Sequence, residues 1–263
     1  MEVLTLLGKT IFFRPYVFLF LAISLVIAVR LMGRTRTAIF FLLTWMTAFV
    51  CEFSSTRTGI PFGWYVYTSS TRGRELYLSN VPFMDSLSFT FLLFCSYCLA
   101  LVFLLPARGR GLGIAMRDDL AVRTSPPVLA LSALFFVLLD VVIDPVALRG
   151  DRWFLGRIYF YPEPGVHFGV PLANYVGWGV VGLVALGLYQ QIDRRLPVRP
   201  SADNIAGALL LGCALYYGVL AFNLAITYWI GELLIGTTGL LMFLPVTALF
   251  LKKLAGRLPG ALP

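Results

Sequence analysis

Seven apolar runs of roughly bilayer length, joined by short loops, leave this chain one way to fold: as helices side by side in a membrane. The runs cover 15–33, 37–53, 85–106, 126–147, 172–191, 205–229 and 233–251. About 20 apolar residues cross the hydrocarbon layer as a helix, and a helix satisfies its own backbone groups there. The composition agrees. The chain is 59% hydrophobic and only 13% charged, whereas a soluble domain is about a quarter charged. No polar stretch is long enough for a separate soluble unit. Residues 1–263 are therefore expected to form a single integral-membrane domain, an all-α polytopic bundle of about seven transmembrane helices. The first run is long enough to span, so it is expected to be a membrane helix and not a cleavable signal.

The formal charge of +8 does not point to nucleic acid, because the basic residues lie in the loops between spans. With seven spans, one side carries Arg30, Arg34, Arg36, Arg108, Arg110, Arg117, Arg123, Arg194, Arg195, Arg199, Lys252, Lys253 and Arg257, which is 13 of the 21 basic residues. The positive-inside rule makes that side cytoplasmic. The expectation is a multi-pass protein of the cell (inner or plasma) membrane with an external N-terminus and a cytoplasmic C-terminus. Asp118, Asp119, Asp193 and Asp203 belong to the cytoplasmic side, while Glu52, Asp85, Asp140, Asp144 and Glu232 lie at or near helix ends on the other. The two longest loops, 54–84 and 148–171, also emerge there, so the functional site is expected at the external face.

Asp140 and Asp144 are the sharpest signal. They sit in Leu138-Leu139-Asp140-Val141-Val142-Ile143-Asp144-Pro145, four residues apart and hence on one helical face. Carboxylates at membrane depth are costly and mark function. Two so close resist ionising together, which keeps a proton-bearing acid beside an apolar space. Glu52 has Arg57 within reach as an interfacial partner. Cys95-x-x-Cys98, with Cys51 and Cys213, lies in apolar runs and reads as small buried hydrophobes, not a redox motif. His167 is the single histidine and reads as a hydrogen-bonding residue. One histidine cannot supply a histidine-cluster di-iron centre, so an added hydroxyl would come from water and not O₂.

The external loops combine glycine, proline and aromatic residues: Thr58-Gly59-Ile60-Pro61-Phe62-Gly63-Trp64-Tyr65-Val66-Tyr67-Thr68, and Phe168-Gly169-Val170-Pro171 leading into Asn174 and Gly177-Trp178. One ring alone suits a headgroup-level belt; the whole pattern suits the walls of a pocket. Asn174 also stands where a helix start needs a cap. Glu52, Thr58-Gly59-x-Pro61-Phe62-Gly63-x-Tyr65-x-Tyr67-Thr68 and Val81-Pro82, followed by Asp140, Asp144-Pro145, Trp153 and Gly169-Val170-Pro171-x-x-Asn174-x-x-Gly177-Trp178, resemble the carotenoid biosynthesis membrane-protein family. That family includes carotenoid 1,2-hydratases. The likeness spans roughly 50–180. Met84-Asp85-Ser86 departs from its pattern by an extra acid.

The resemblance implies addition of water across the terminal double bond of an acyclic carotenoid. The partners it implies are a lipophilic isoprenoid and the surrounding lipid, with no metal and no cofactor. Protonating such an alkene gives a tertiary carbocation, and a second group must direct water to it. Asp140, a turn deeper than Asp144, is the expected proton donor. Asp144 or Glu52 would orient water or tune the donor. Tyr65, Tyr67 and Asn174 would complete the hydrogen-bond network, and Phe62, Trp64, Trp178 and Asp85 would contact substrate. Asp85 and Glu232 are reserve acids. A proton-initiated terpenoid cyclase would use the same acid, and a proton-coupled transporter or lipid-binding protein would use buried acids as relays. A retinal photoreceptor is excluded, because Lys9, Lys252 and Lys253 are the only lysines and all lie at the chain's ends.

Overall fold

The longest helix contains 44 residues, roughly 66 Å at the α-helical rise and about twice the thickness of a bilayer. The computed structural model describes residues 2–109, 111–197 and 204–256; Arg110, Arg199, Asp203 and Arg257 of the charge pattern lie outside the described residues. The helices are α1 (Glu2–Phe13), α2 (Pro15–Thr58), α3 (Phe83–Leu104), α4 (Leu120–Arg123), α5 (Pro126–Ala147), α6 (Leu172–Asp193), α7 (Ala206–Trp229) and α8 (Leu233–Leu254). Six of these are long and apolar enough to cross a membrane, so this is a multi-pass membrane protein.

The two runs at 15–33 and 37–53 are joined without the polar loop expected between them. They form the single helix α2, broken only at Gly33 (φ 78°, ψ 167°), a backbone conformation open to glycine. The second arm also runs on to Thr58. The break folds α2 back on itself. At one end Tyr16 of the first arm and Glu52 of the second both reach the start of α3: Tyr16 shares a pocket with Asp85, and Glu52 accepts from Ser86 Oγ. Halfway along, Phe20 lies 5.8 Å from Phe91 and Phe41 5.8 Å from Phe94, centroid to centroid. At the break, Arg36 Nε bonds Asp193 Oδ1 at 2.5 Å and Tyr189 reaches Met32 Sδ at 3.5 Å. α2 thus makes two antiparallel passes, and the six long helices of the described residues make seven.

Helix α3 is the most deeply buried of the six and packs against α2, α5 and α7. Cys95 and Cys98 lie in it, buried and unbridged. Helix α1, which the hydropathy pattern did not separate, lies at the carboxylate end, where Lys9 donates to Gly73 O and Thr10 Oγ1 accepts from Leu76 N. At the opposite end Lys253 of α8 donates to Leu105 O, so the two ends of the described chain lie on opposite faces.

Helix α5 starts on a Ser125 cap followed by Pro126 at its first position, a residue with no amide proton to lose there. Its internal Pro145 cannot donate to Val141 O. His167 Nε2 meets that carbonyl at 3.3 Å, so the single histidine satisfies a backbone acceptor that the proline leaves free. The loops carry two-residue antiparallel ladders. They are β2 (Tyr77–Leu78) with β3 (Val81–Pro82), β4 (Ala107–Arg108) with β5 (Ala115–Met116), and β1 (Val66–Tyr67) with β6 (Tyr159–Phe160); the last shapes the site, with Val66 opposite Phe160 and Tyr67 opposite Tyr159.

Candidate active site

Side chains alternate across a strand, so the β1–β6 ladder sends Tyr65, Tyr67, Tyr159 and Tyr161 to one side. All four are buried and their rings touch edge to face or tilted at 5.2–6.5 Å. They roof the ends of α2, α3, α5 and α6, where the acids lie. Burial, with the neighbouring carboxylates adding to it, pushes all four phenols well above their ordinary ionisation range. They therefore remain neutral hydrogen-bond donors under working conditions.

Beneath them are two carboxylate pairs. In the first, Asn174 Nδ2 donates to Asp140 Oδ2 at 2.6 Å and to Asp144 Oδ2 at 2.7 Å, and Tyr161 adds a bond to Asp144 at 3.3 Å. In the second, Tyr67 Oη lies 2.7 Å from Asp85 Oδ2 and 3.1 Å from Glu52 Oε1, while Tyr65 donates to Tyr67 at 3.4 Å and Ser86 to Glu52. A phenol has one proton. Tyr67 can donate to only one of its two carboxyls and must accept from the other. Among the described residues none of the four acids is in an ion pair with a basic side chain. Phenols, an amide and shared protons therefore take the place of counter-charges.

Two adjoining spaces meet at Asp85 and Asp144. A polar cavity of about 40 Å³ is lined by Glu52, Phe62, Tyr65, Tyr67, Asp85, Phe89, Asp144, Tyr159, Tyr161, Asn174 and Trp178. A single water needs about 10–15 Å³ measured this way, with two to four polar partners. Beside it is an apolar pocket of about 110 Å³ between the first arm of α2, α3, α5 and α7. Asp85, Phe89, Asp144, Tyr159 and Trp178 line both. Trp178 stacks on Phe89 at 4.3 Å. Gly177 makes room for that wall, since a Cβ there would collide with the ring and backbone of Phe62.

Several sequence expectations change at this point. Asp140 is fully buried, and its Oδ1 has no hydrogen-bond partner among the described residues. It lines neither space and stands behind Asn174, so the position facing both spaces is that of Asp144. Trp64 is 54% exposed and turns away from the site, as its neighbours in the strand alternation require. Glu232 pairs with Arg149 and Arg152 away from the site. Arg57 bonds Phe53 O, Thr56 and Ser79 and not Glu52. Asn174 does not cap α6; its amide bridges the aspartates. Phe62, Tyr65, Tyr67, Asp85, Asp144, Asn174, Trp178 and Glu52 do converge. Tyr159, Tyr161, Phe89 and Ser86 were missed. The repeated Tyr-x-Tyr of 65–67 and 159–161 was the available signal for the first two. Among the described residues no group of three or more His, Cys, Asp or Glu is placed to hold a metal.

A seven-pass bundle whose acids lie under a tyrosine roof now has a family. The chain matches the family model for "Carotenoid biosynthesis protein" over residues 12–245 and belongs to that family. Among curated proteins it is similar to a bisanhydrobacterioruberin hydratase of Haloarcula japonica, with 28% identity over 225 residues, covering 81% of this chain and 69% of the relative. No solved structure matches it significantly.

Proposed function

We propose that this protein is a hydro-lyase that adds water to the terminal 1,2 double bond of an acyclic carotenoid. The observation that carries this reading is the junction of the two spaces: an apolar pocket for a hydrocarbon end group and a polar, water-sized cavity share Asp85 and Asp144. The likeness to a hydratase supports it further.

In this mechanism the proton shared by the Asp140–Asp144 pair is delivered by Asp144 to the less substituted alkene carbon. The π electrons form the new C–H bond and leave a tertiary cation. The faces of Trp178 and Phe89 lie against it and lower its energy. A water in the polar cavity attacks the cation, and Asp85 takes the proton that this water loses. The net change is one H and one OH added. Return of that proton from Asp85 to Asp144 across the cavity both line closes the cycle without a redox step. Glu52 acts on Asp85 through Tyr67, and Asp140 acts on Asp144 through Asn174. By the positive-inside bias this site faces the outside of the cell membrane, with the N-terminus external and the arginine-rich end cytoplasmic.

The test is product mass in H₂¹⁸O from membranes supplied with lycopene. Gain of one labelled water is the expected result. An isomer of unchanged mass would replace hydration by cyclisation, with an alkene capturing the cation. Tyr67→Phe removes the hydroxyl that bridges Asp85 and Glu52, and it is expected to lower kcat by roughly 10²-fold. KM should change little, because Tyr67 does not line the apolar pocket. A wild-type kcat in purified Tyr67→Phe protein would remove the second carboxylate pair from the mechanism.

A further inference from the structure

The apolar pocket is too small for the molecule it is proposed to serve. An apolar cavity of about 150 Å³ takes one benzene ring, and this pocket measures about 110 Å³. It accommodates an isoprenoid end group, and the rest of a long chain must leave it. Most of its wall is sealed: Met84, Phe91, Leu92, Ile158 and Val219 are all buried. The seam between the first arm of α2 and α7 is different. Tyr16, Phe20, Trp153 and Phe222 line the pocket from within and are partly exposed, so one layer of rings separates it from the bundle's exterior.

Those rings hold one another across the seam. Phe222 stacks on Tyr16 at 5.5 Å and meets Phe20 edge-on at 5.7 Å. Phe154, 51% exposed, closes over both Tyr16 and Phe222 at 5.3 and 6.2 Å. Along the same arm Leu19 and Ile23 are 58% and 40% exposed, a flank suited to acyl chains. Aromatic rings turn about two side-chain torsions without breaking a backbone hydrogen bond, so a rotation of Phe222 opens the pocket sideways while the helices stay packed.

Resting on the isoprenoid reading above, we propose that the α2–α7 seam is a lateral portal with Phe222 as its gate. The end group of a long acyclic isoprenoid enters through it to reach Asp85 and Asp144, and the polyene remains outside along the seam, in lipid. The site then selects the chemistry of one chain end and tolerates whatever the other end carries. Phe222 is a specificity-determining residue in this arrangement and not a catalytic one.

The experiment uses the full chain in lycopene-containing membranes, with a benzophenone side chain placed at position 222, at position 20, or at position 188 as a control. Leu188 is 43% exposed on α6, away from the seam. On irradiation, a polyene adduct is expected at 222 and 20 and roughly tenfold less at 188. Equal capture at all three positions, or capture at 188 alone, overturns the portal. This readout does not require turnover, so a chain that captures lycopene at 222 yet adds no water keeps the portal and loses the hydratase reading. The second arm is Phe222→Trp, which thickens the gate. It is expected to lower kcat/KM for lycopene roughly tenfold and to cost a short isoprenoid with the same end group clearly less, since only the long chain must stay threaded through the gate. An equal loss for both lengths would reduce Phe222 to a packing role and overturn its assignment as gate.

Discussion

Asp144→Asn is expected to lower hydration at least about 10³-fold, whereas Asp140→Asn loses much less, on the order of tenfold. The asymmetry follows from position. Asp144 lines both the apolar pocket and the polar cavity, so a proton leaving it can reach an alkene directly, and an amide in its place has no acidic proton to give. Asp140 reaches the site through the Asn174 amide. With asparagine at 140, that side chain still offers an oxygen to the Asn174 Nδ2–H and loses only the charge that helps its neighbour hold and release a proton. In the proposed mechanism Asp140 is a positioning residue, and a pH profile tests that role: Asp140→Asn should move the pH dependence of kcat, while Asp144→Asn should flatten what activity remains. The comparison needs purified, folded variants and initial rates of water addition. A larger loss from Asp140→Asn than from Asp144→Asn would reverse the two roles and restore the deeper aspartate as donor.

That reversal of depth shows what hydropathy can and cannot convey. The two aspartates are legible because an apolar run surrounds them, and Asn174 because of its place in the Gly-Val-Pro motif. Distance along a helix, however, measures depth in the membrane and not distance from the chemistry. The polar cavity is enclosed from above by loop tyrosines, so the acid nearer the helix end faces it. The roof itself depends on a two-residue ladder that joins Tyr67 to Tyr159, 92 positions later in sequence, and no local pattern specifies that pairing. Once it exists, the alternation explains why Tyr65 and Tyr67 turn inward while Trp64 and Val66 remain exposed. Gly33 was hidden for a different reason. Arg34 and Arg36 between two apolar runs resemble a loop, but Arg36 turns into the bundle to meet Asp193, and one glycine makes the reversal.

Glu75→Gln is expected to destabilise the protein by about 3–5 kcal/mol, the typical cost of leaving one member of a buried ion pair alone. Arg14 and Glu75 are both fully buried. The guanidinium donates from Nε and Nη2 to the two carboxylate oxygens, each at 3.1 Å, and from Nη1 to Leu155 O at 2.6 Å. These bonds tie the α1–α2 junction, the 54–84 loop and the wall of the apolar pocket together. Loss of Glu75 strands a cation that has no water to turn to. Replacing both partners by apolar residues of similar size, Arg14→Met with Glu75→Leu, removes the stranded charge and should recover most of the loss. Recovery should stop short of the wild type, because Leu155 O then lacks its donor, a defect of about 1–3 kcal/mol. Unfolding midpoints of the detergent-solubilised proteins order the three chains as wild type, double variant, single variant. If the double variant unfolds as early as Glu75→Gln, the pair itself, and not the avoidance of a lone charge, stabilises this corner of the fold. The double variant also bears on function: Leu155 borders the apolar pocket, so without its anchor the end group is held less firmly, and KM should rise more than kcat falls.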